Sequence, residues 1–99
     1  MLFTERIKEL RIHNQLPQRK LAAALDIDTA TYCKIERGER KARQEQVITL
    51  AILYKVEQEE LLTLWLADKV SEIVSDNKSV AYNALSMAAE TYKNDKSKV

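Results

Sequence analysis

The stretch DIDTATYCKIERGERKAR, Asp26 to Arg43, holds the reading that decides the fold. Asp28 is placed to cap a helix by accepting from backbone N–H groups of its first turn. The helix it starts covers about Thr29 to Arg37. Gly38 then stops it in the left-handed conformation that ends many helices. Inside that helix Thr29, Ala30, Cys33 and Lys34 stand at i, i+1, i+4 and i+5, on one face. Tyr32, Ile35 and Glu36 point elsewhere. Just beyond, Arg37, Arg40, Lys41 and Arg43 fall within seven residues with one acid among them.

Upstream, a helix from about Pro17 to Leu25 turns Leu21, Ala22 and Leu25 inward. Pro17 suits a helix start, where an N–H would have no partner anyway. Asp26-Ile27 makes a tight turn, so two short helices meet across three or four residues, the helix-turn-helix arrangement. Before them, Thr4 is expected to cap a first helix with Ile7 and Leu10 inward, ending near His13-Asn14; Leu16 turns inward. After them, Glu39 to Gln44 reads as a polar connector. A fourth helix, about Glu45 to Tyr54, buries Val47, Leu50, Ala51 and Tyr54, and Lys55-Val56 turns the chain. A fifth starts near Gln58, with Glu59 and Glu60 at its positive end. Its apolar positions run from Leu61 and Leu64 through Val70 to Val74. Asp76-Asn77 is a break, and Ser79 is expected to cap a sixth helix bearing Val80, Ala84, Leu85, Ala88 and Tyr92. The last residues, KNDKSKV, are expected to fray.

Composition agrees with an all-α chain. Its 99 residues contain one Gly and one Pro, and 45% are hydrophobic, enough for one compact domain and a short appendage. No apolar run approaches the ~20 residues of a membrane span, and MLFTERIKEL lacks the apolar stretch of a signal peptide. The single cysteine excludes an intrachain disulfide and fits a cytoplasmic protein. Net charge is only +1, but it is unevenly spread. Residues 1–43 hold ten basic groups and six acids, +4; residues 44–99 hold six and nine, −3. One half is suited to phosphate, the other to something else.

These features point to double-stranded DNA as the partner. On the narrow face, Lys34 can donate to guanine, Thr29 can hydrogen-bond several bases, and Ala30 can touch a thymine methyl, with Cys33 beside them. Arg37, Arg40, Lys41 and Arg43 would lie over the sugar-phosphate backbone, giving affinity without sequence information. Gln18 and Arg19, opening the second helix, are positioned to add phosphate contacts. Read blandly, each feature is ordinary: a charged helix end stopped by glycine, a solvated basic loop. The joint spacing favours DNA. With no resolving cysteine, Cys33 reads as a small side chain tolerated beside DNA rather than a redox switch. His13 is an exposed helix-end residue, and one His with one Cys makes no metal site. No cofactor is implied.

The run LPQRKLAAALDIDTATYCKIERGERKA resembles the helix-turn-helix of the phage-repressor and Cro-like (Xre) transcription regulators. The likeness covers about Glu5 to Leu66 and is most specific in KIERG, Lys34 to Gly38, with Gln18 and the Leu21-Ala22 pair. It implies a five-helix lambda repressor-like DNA-binding domain, residues 1–66, followed by a helical extension, 67–99. It also implies that Arg11 pairs with Glu36, that Gln18 binds phosphate, and that Thr29, Ala30, Cys33 and Lys34 face bases. ELLTLWLADKV, Glu60 to Val70, is in addition similar to small regulators that accompany restriction-modification genes. Three departures stand out: Asp26 and Lys55 hold positions where Gly is common, and Pro17 replaces a Ser or Thr cap.

The expected function is a homodimeric regulator on a palindromic operator. Apolar residues beyond the needs of one small core, Leu62, Trp65, Leu66, Val70, Ile73 and Leu85, are candidates for the dimer interface. For Trp65 and its leucines, core packing is the commoner use of such residues than a ligand pocket. The alternative is an antitoxin or adaptor whose acidic C-terminal helices bind a partner protein. An enzyme has no support: there is no nucleophile-base-acid set and no phosphate loop.

Overall fold

A computed structural model describes residues 1–93, all helical apart from turns. The helices are α1 (Leu2–His13), α2 (Gln18–Ala24), α3 (Thr29–Glu36), α4 (Gln44–Tyr54), α5 (Gln58–Ile73) and α6 (Lys78–Glu90), with a 3-10 turn at Ser75–Asn77. The chain divides into two compact units, residues 1–68 and 69–99. From residue 94 on, the tail expected to fray lies outside the described residues.

The first unit is built around one core. Phe3, Ile7 and Leu10 recur at helical spacing and bury one face of α1. They meet Leu21 and Ala22 of α2, Tyr32 and Ile35 of α3, Val47, Leu50 and Ala51 of α4, and Leu61 of α5. Leu16, Leu25, Ile27, Tyr54, Val56, Leu62, Leu64 and Trp65 close the rim. Leu21, Leu50 and Leu61 are fully buried, so truncating any of them to Ala is expected to cost about 2–5 kcal/mol.

Four helix ends in this unit share one device. Gln15, Asp26, Gly38 and Lys55 all take left-handed backbone angles, φ 56, 58, 80 and 56°. At each, the left-handed residue's N–H donates three residues back and the next N–H donates five back. Thus Asp26 donates to Ala23 and Ile27 to Ala22; Gly38 donates to Ile35 and Glu39 to Lys34. This paired closure satisfies carbonyls that the helix end leaves open. Three of the four use a residue with a Cβ, which costs about 1–3 kcal/mol. The residues that follow these three are Leu16, Ile27 and Val56, each partly buried against the core. Burial of that apolar side chain offsets the backbone cost. After the fourth comes exposed Glu39, which brings no such offset, and there the chain uses its single glycine.

Two caps differ from expectation. Thr4 does not cap α1; it lies inside the helix and its hydroxyl donates to the Met1 carbonyl. The first-turn N–H groups of Leu2 and Phe3 donate instead to the two carboxylate oxygens of Asp68, at 3.0 and 2.9 Å. An acid from α5 supplies the cap because packing brings it to the positive end of α1. Ser79 does not cap α6 either. The 3-10 turn feeds straight into Lys78, so Ser79 is already helical and Asn77 marks the boundary.

The second unit has a different character. None of its described residues, 69–93, is buried. Ile73, Val80, Tyr82, Met87 and Tyr92 are all more than half exposed.

Candidate nucleic-acid interface

Asp28 starts α3 as its side-chain cap, accepting from the Thr31 N–H at 2.7 Å. Hydrogen bonding from Thr31 holds the Asp28 carboxyl below its ordinary value. The helix then turns Tyr32, Ile35 and Glu36 into the core and leaves Thr29, Ala30 and Lys34 exposed on the other side. Cys33 shares that side in helical register but is only half-exposed. Its thiol donates to Oε1 of Gln18 at 2.9 Å. Cys33 is therefore less open than Thr29, Ala30 and Lys34, because the first turn of α2 lies within reach of its sulfur.

Gln18 belongs to a polar network that ties the three N-terminal helices together. Arg11 grips Glu36 with two hydrogen bonds, Nε to Oε2 at 2.9 Å and Nη2 to Oε1 at 2.8 Å. Its third donor, Nη1, reaches the Leu16 carbonyl at 3.1 Å. Gln18 Nε2 donates to Glu36 Oε1 at 3.3 Å. The Glu36 side chain is 3% exposed. Burial alone would push its carboxyl up, but the hydrogen bonds, Arg11 first among them, hold it below the ordinary value. The Arg11 guanidinium is raised in turn, chiefly by its hydrogen bonds to Glu36. The Tyr32 hydroxyl is buried beside this pair without a hydrogen bond of standard geometry, and burial, then the nearby carboxylate, raises it. The Tyr54 hydroxyl is likewise buried and unpaired, and burial pushes it up to about 12.

Exposed basic residues flank α3 on both sides in the sequence. Arg19 is exposed in the first turn of α2. Arg37, Arg40, Lys41 and Arg43 are exposed along the segment that leaves α3. Arg37 pairs with Glu39 at 2.7 Å and Arg43 lies 3.8 Å from Glu45, both at the surface. Such exposed pairs are worth about 0–1 kcal/mol, so they hold these arginines only weakly.

That segment is more than the polar connector expected from its composition. Ala42, between Lys41 and Arg43, is buried in the core. Its carbonyl accepts from the Trp65 indole N–H at 2.9 Å. The Lys34 carbonyl accepts from both Glu39 and Arg40. Arg43 leads into α4 and donates its N–H to the largely buried Gln46 side chain. The buried Ala42 and Gln46 escaped the sequence reading; their only signal was an alanine inside a basic run and a glutamine three residues after Arg43. Trp65 and Leu62, expected at a dimer interface, are partly buried against the domain core, which leaves only part of each side chain open to a second copy. Leu66 and Ile73 are more than half exposed, Val70 is 36% exposed, and Leu85 is half-buried.

Among the described residues no group of His, Cys, Asp or Glu is arranged to hold a metal ion, and no helix is long and apolar enough to cross a membrane. Comparison with curated proteins and with solved structures found no match. Comparison with family models did: the family described as helix-turn-helix matches residues 7–61. The matched region holds α2, α3, the Arg11–Glu36 pair and the basic segment, and it ends before most of the Glu60–Val70 stretch, whose expected likeness to restriction-modification regulators is not confirmed by these comparisons. With its capped, small-faced α3 held at a short turn from α2, this all-α chain belongs to the Xre and lambda repressor-like helix-turn-helix family of DNA-binding regulators.

Proposed function

We propose that the chain regulates transcription as a homodimer, reading a palindromic operator with α3 in the major groove. The observation that carries this reading is the exposed Thr29, Ala30 and Lys34 face of α3, flanked in the sequence by exposed Arg19, Arg37, Arg40, Lys41 and Arg43. Thr29, Ala30 and Lys34 meet base edges; the arginines and Lys41 meet phosphates. Two copies of α3 then lie about 34 Å apart, one helical turn of DNA. The protein works by occupancy rather than catalysis, in the cytoplasm with its DNA.

The second unit supports the dimer. With none of its described residues buried, this helical segment shows no core of its own over residues 69–93, and isolated short helices are marginal in water. Val70, Ile73, Val80, Leu85 and Met87 give it apolar surface to bury against a second copy. The adaptor alternative would need an acidic extension. Residues 69–99 carry five lysines and four acids, while the acid surplus of the second half falls at Glu45, Glu57, Glu59, Glu60 and Asp68. Self-association through apolar contact is the better fit.

Selection of bound sites from random duplex DNA tests the reading. A recovered palindrome with half-sites about one helical turn apart is expected. Recovery of a single unrepeated half-site, together with a monomer mass by light scattering, would remove the homodimer. No enrichment at all would remove specific DNA recognition.

A further inference from the structure

Two hydrogen bonds hold the Gln18 amide in one orientation. Its Oε1 faces the Cys33 thiol at 2.9 Å and its Nε2 faces Glu36 Oε1 at 3.3 Å. An amide oxygen only accepts, an amide nitrogen only donates, and an ionised carboxylate only accepts. Turned the other way, the amide oxygen would face the buried carboxylate and repel it. The carboxylate therefore selects the orientation, and the thiol, able to donate or accept, donates to the oxygen that this orientation presents to it. Glu36 cannot shift to relax it, since Arg11 holds both its oxygens and is itself tied to the Leu16 carbonyl. The network leaves Gln18 Nε2 with one hydrogen engaged and a second to give. Gln18 is half-exposed at the first position of α2, next to exposed Arg19.

We propose that Cys33 is a positioning residue for Gln18: its thiol fixes the amide so that the second Nε2 hydrogen is offered to a DNA phosphate. This rests on the DNA-binding reading of α3 and changes the part Cys33 plays in it. A side chain that reads a base alters preference at one operator position. A side chain that aims a phosphate donor alters affinity for every sequence alike. Serine, with a hydroxyl in place of the thiol, can still donate to Oε1; alanine cannot.

The test uses the full chain with Cys33→Ala, Cys33→Ser, Gln18→Ala and the Cys33→Ala/Gln18→Ala double variant. Side-chain amide resonances of Gln18 in the free protein report the clamp itself. They should move or broaden in Cys33→Ala and stay close to wild type in Cys33→Ser. Binding is measured on two probes: a random-sequence duplex pool, and the duplex that wild-type protein selects from it. Cys33→Ala should weaken both by a similar factor, about three- to tenfold, the scale of one hydrogen bond. In the Gln18→Ala background the same change should have almost no effect. A shift in base preference at one position, an equal loss in both backgrounds, or unmoved amide signals in Cys33→Ala would each overturn the proposal. A wild-type chain that bound neither duplex would instead overturn the DNA-binding reading and the proposed use of the clamp, leaving the amide signals to decide whether the clamp exists.

Discussion

The Trp65 indole N–H donates to the Ala42 carbonyl at 2.9 Å, which fastens the basic segment after α3 to α5 across 23 positions of sequence. The arginines and lysine of that segment project from a backbone fixed near its C-terminal end by a buried alanine and a hydrogen bond. Trp65→Phe keeps most of the packing and deletes the donor, leaving a buried carbonyl unpaired. We expect a loss of about 1–3 kcal/mol, read as a lower urea midpoint with an unchanged slope. An unchanged midpoint would mean that the indole bond contributes nothing to the fold.

The Arg11–Glu36 pair should dominate the acid limb of stability. Arg11→Ala strands a buried carboxylate and is expected to cost about 3–5 kcal/mol. Because the folded Glu36 carboxyl is held below its ordinary value, its contribution is fully present above that ordinary value and is lost as pH falls through the depressed one. Stability of the wild type should therefore drop below about pH 4.5, and Glu36→Gln should flatten that limb. At the alkaline end the sign reverses. Tyr54, pushed up to about 12, favours the fold below its unfolded value near 10 and loses that contribution as pH rises towards 12. Tyr54→Phe should flatten the alkaline limb, followed by circular dichroism across pH.

The four left-handed helix ends predict opposite responses to glycine. Gln15→Gly, Asp26→Gly and Lys55→Gly each relieve a strained angle and should raise stability by about 0.5–1 kcal/mol, after the entropy that glycine loses on folding. Gly38→Ala should lower it by more than about 1 kcal/mol, since an added Cβ meets φ +80° and also lies 3.3 Å from Met1 Sδ. Thermal melts of the four single variants check the pattern; a stabilising Gly38→Ala would contradict the account of why the one glycine sits there.

The proposed division of labour at the DNA separates two further variants. Lys34→Ala should relax preference at one operator position by about 1–3 kcal/mol. Arg40→Ala should weaken all duplexes similarly and reduce the salt slope by about one. Titrations on the selected and a scrambled duplex at several salt concentrations distinguish them. A Lys34→Ala protein with unchanged affinity and preference would show that this face does not read bases.

Much of this was legible along the chain because it is local. Ile7 and Leu10 stand at helical spacing, Asp28 precedes its own helix by one residue, and Gly38 follows α3 by two. Periodicity, caps and stops act within a turn or two of helix, so the helices, their order and the exposed α3 face could be read directly. The Arg11–Glu36 pairing spans 25 positions and was anticipated only through family resemblance.

The choice of partners belongs to the tertiary structure. Asp68 caps a helix 65 positions away, Trp65 turns its indole to Ala42, and the Cys33 thiol meets Gln18. None of these three partners is read from the sequence, which predicts Trp65 at a dimer interface and Cys33 facing a base. A hydrogen bond needs its two atoms within about 3 Å and in line, and that depends on how helices cross. The amino-acid pattern settles which face of a helix is buried; the packing of one helix on another settles which atom meets which.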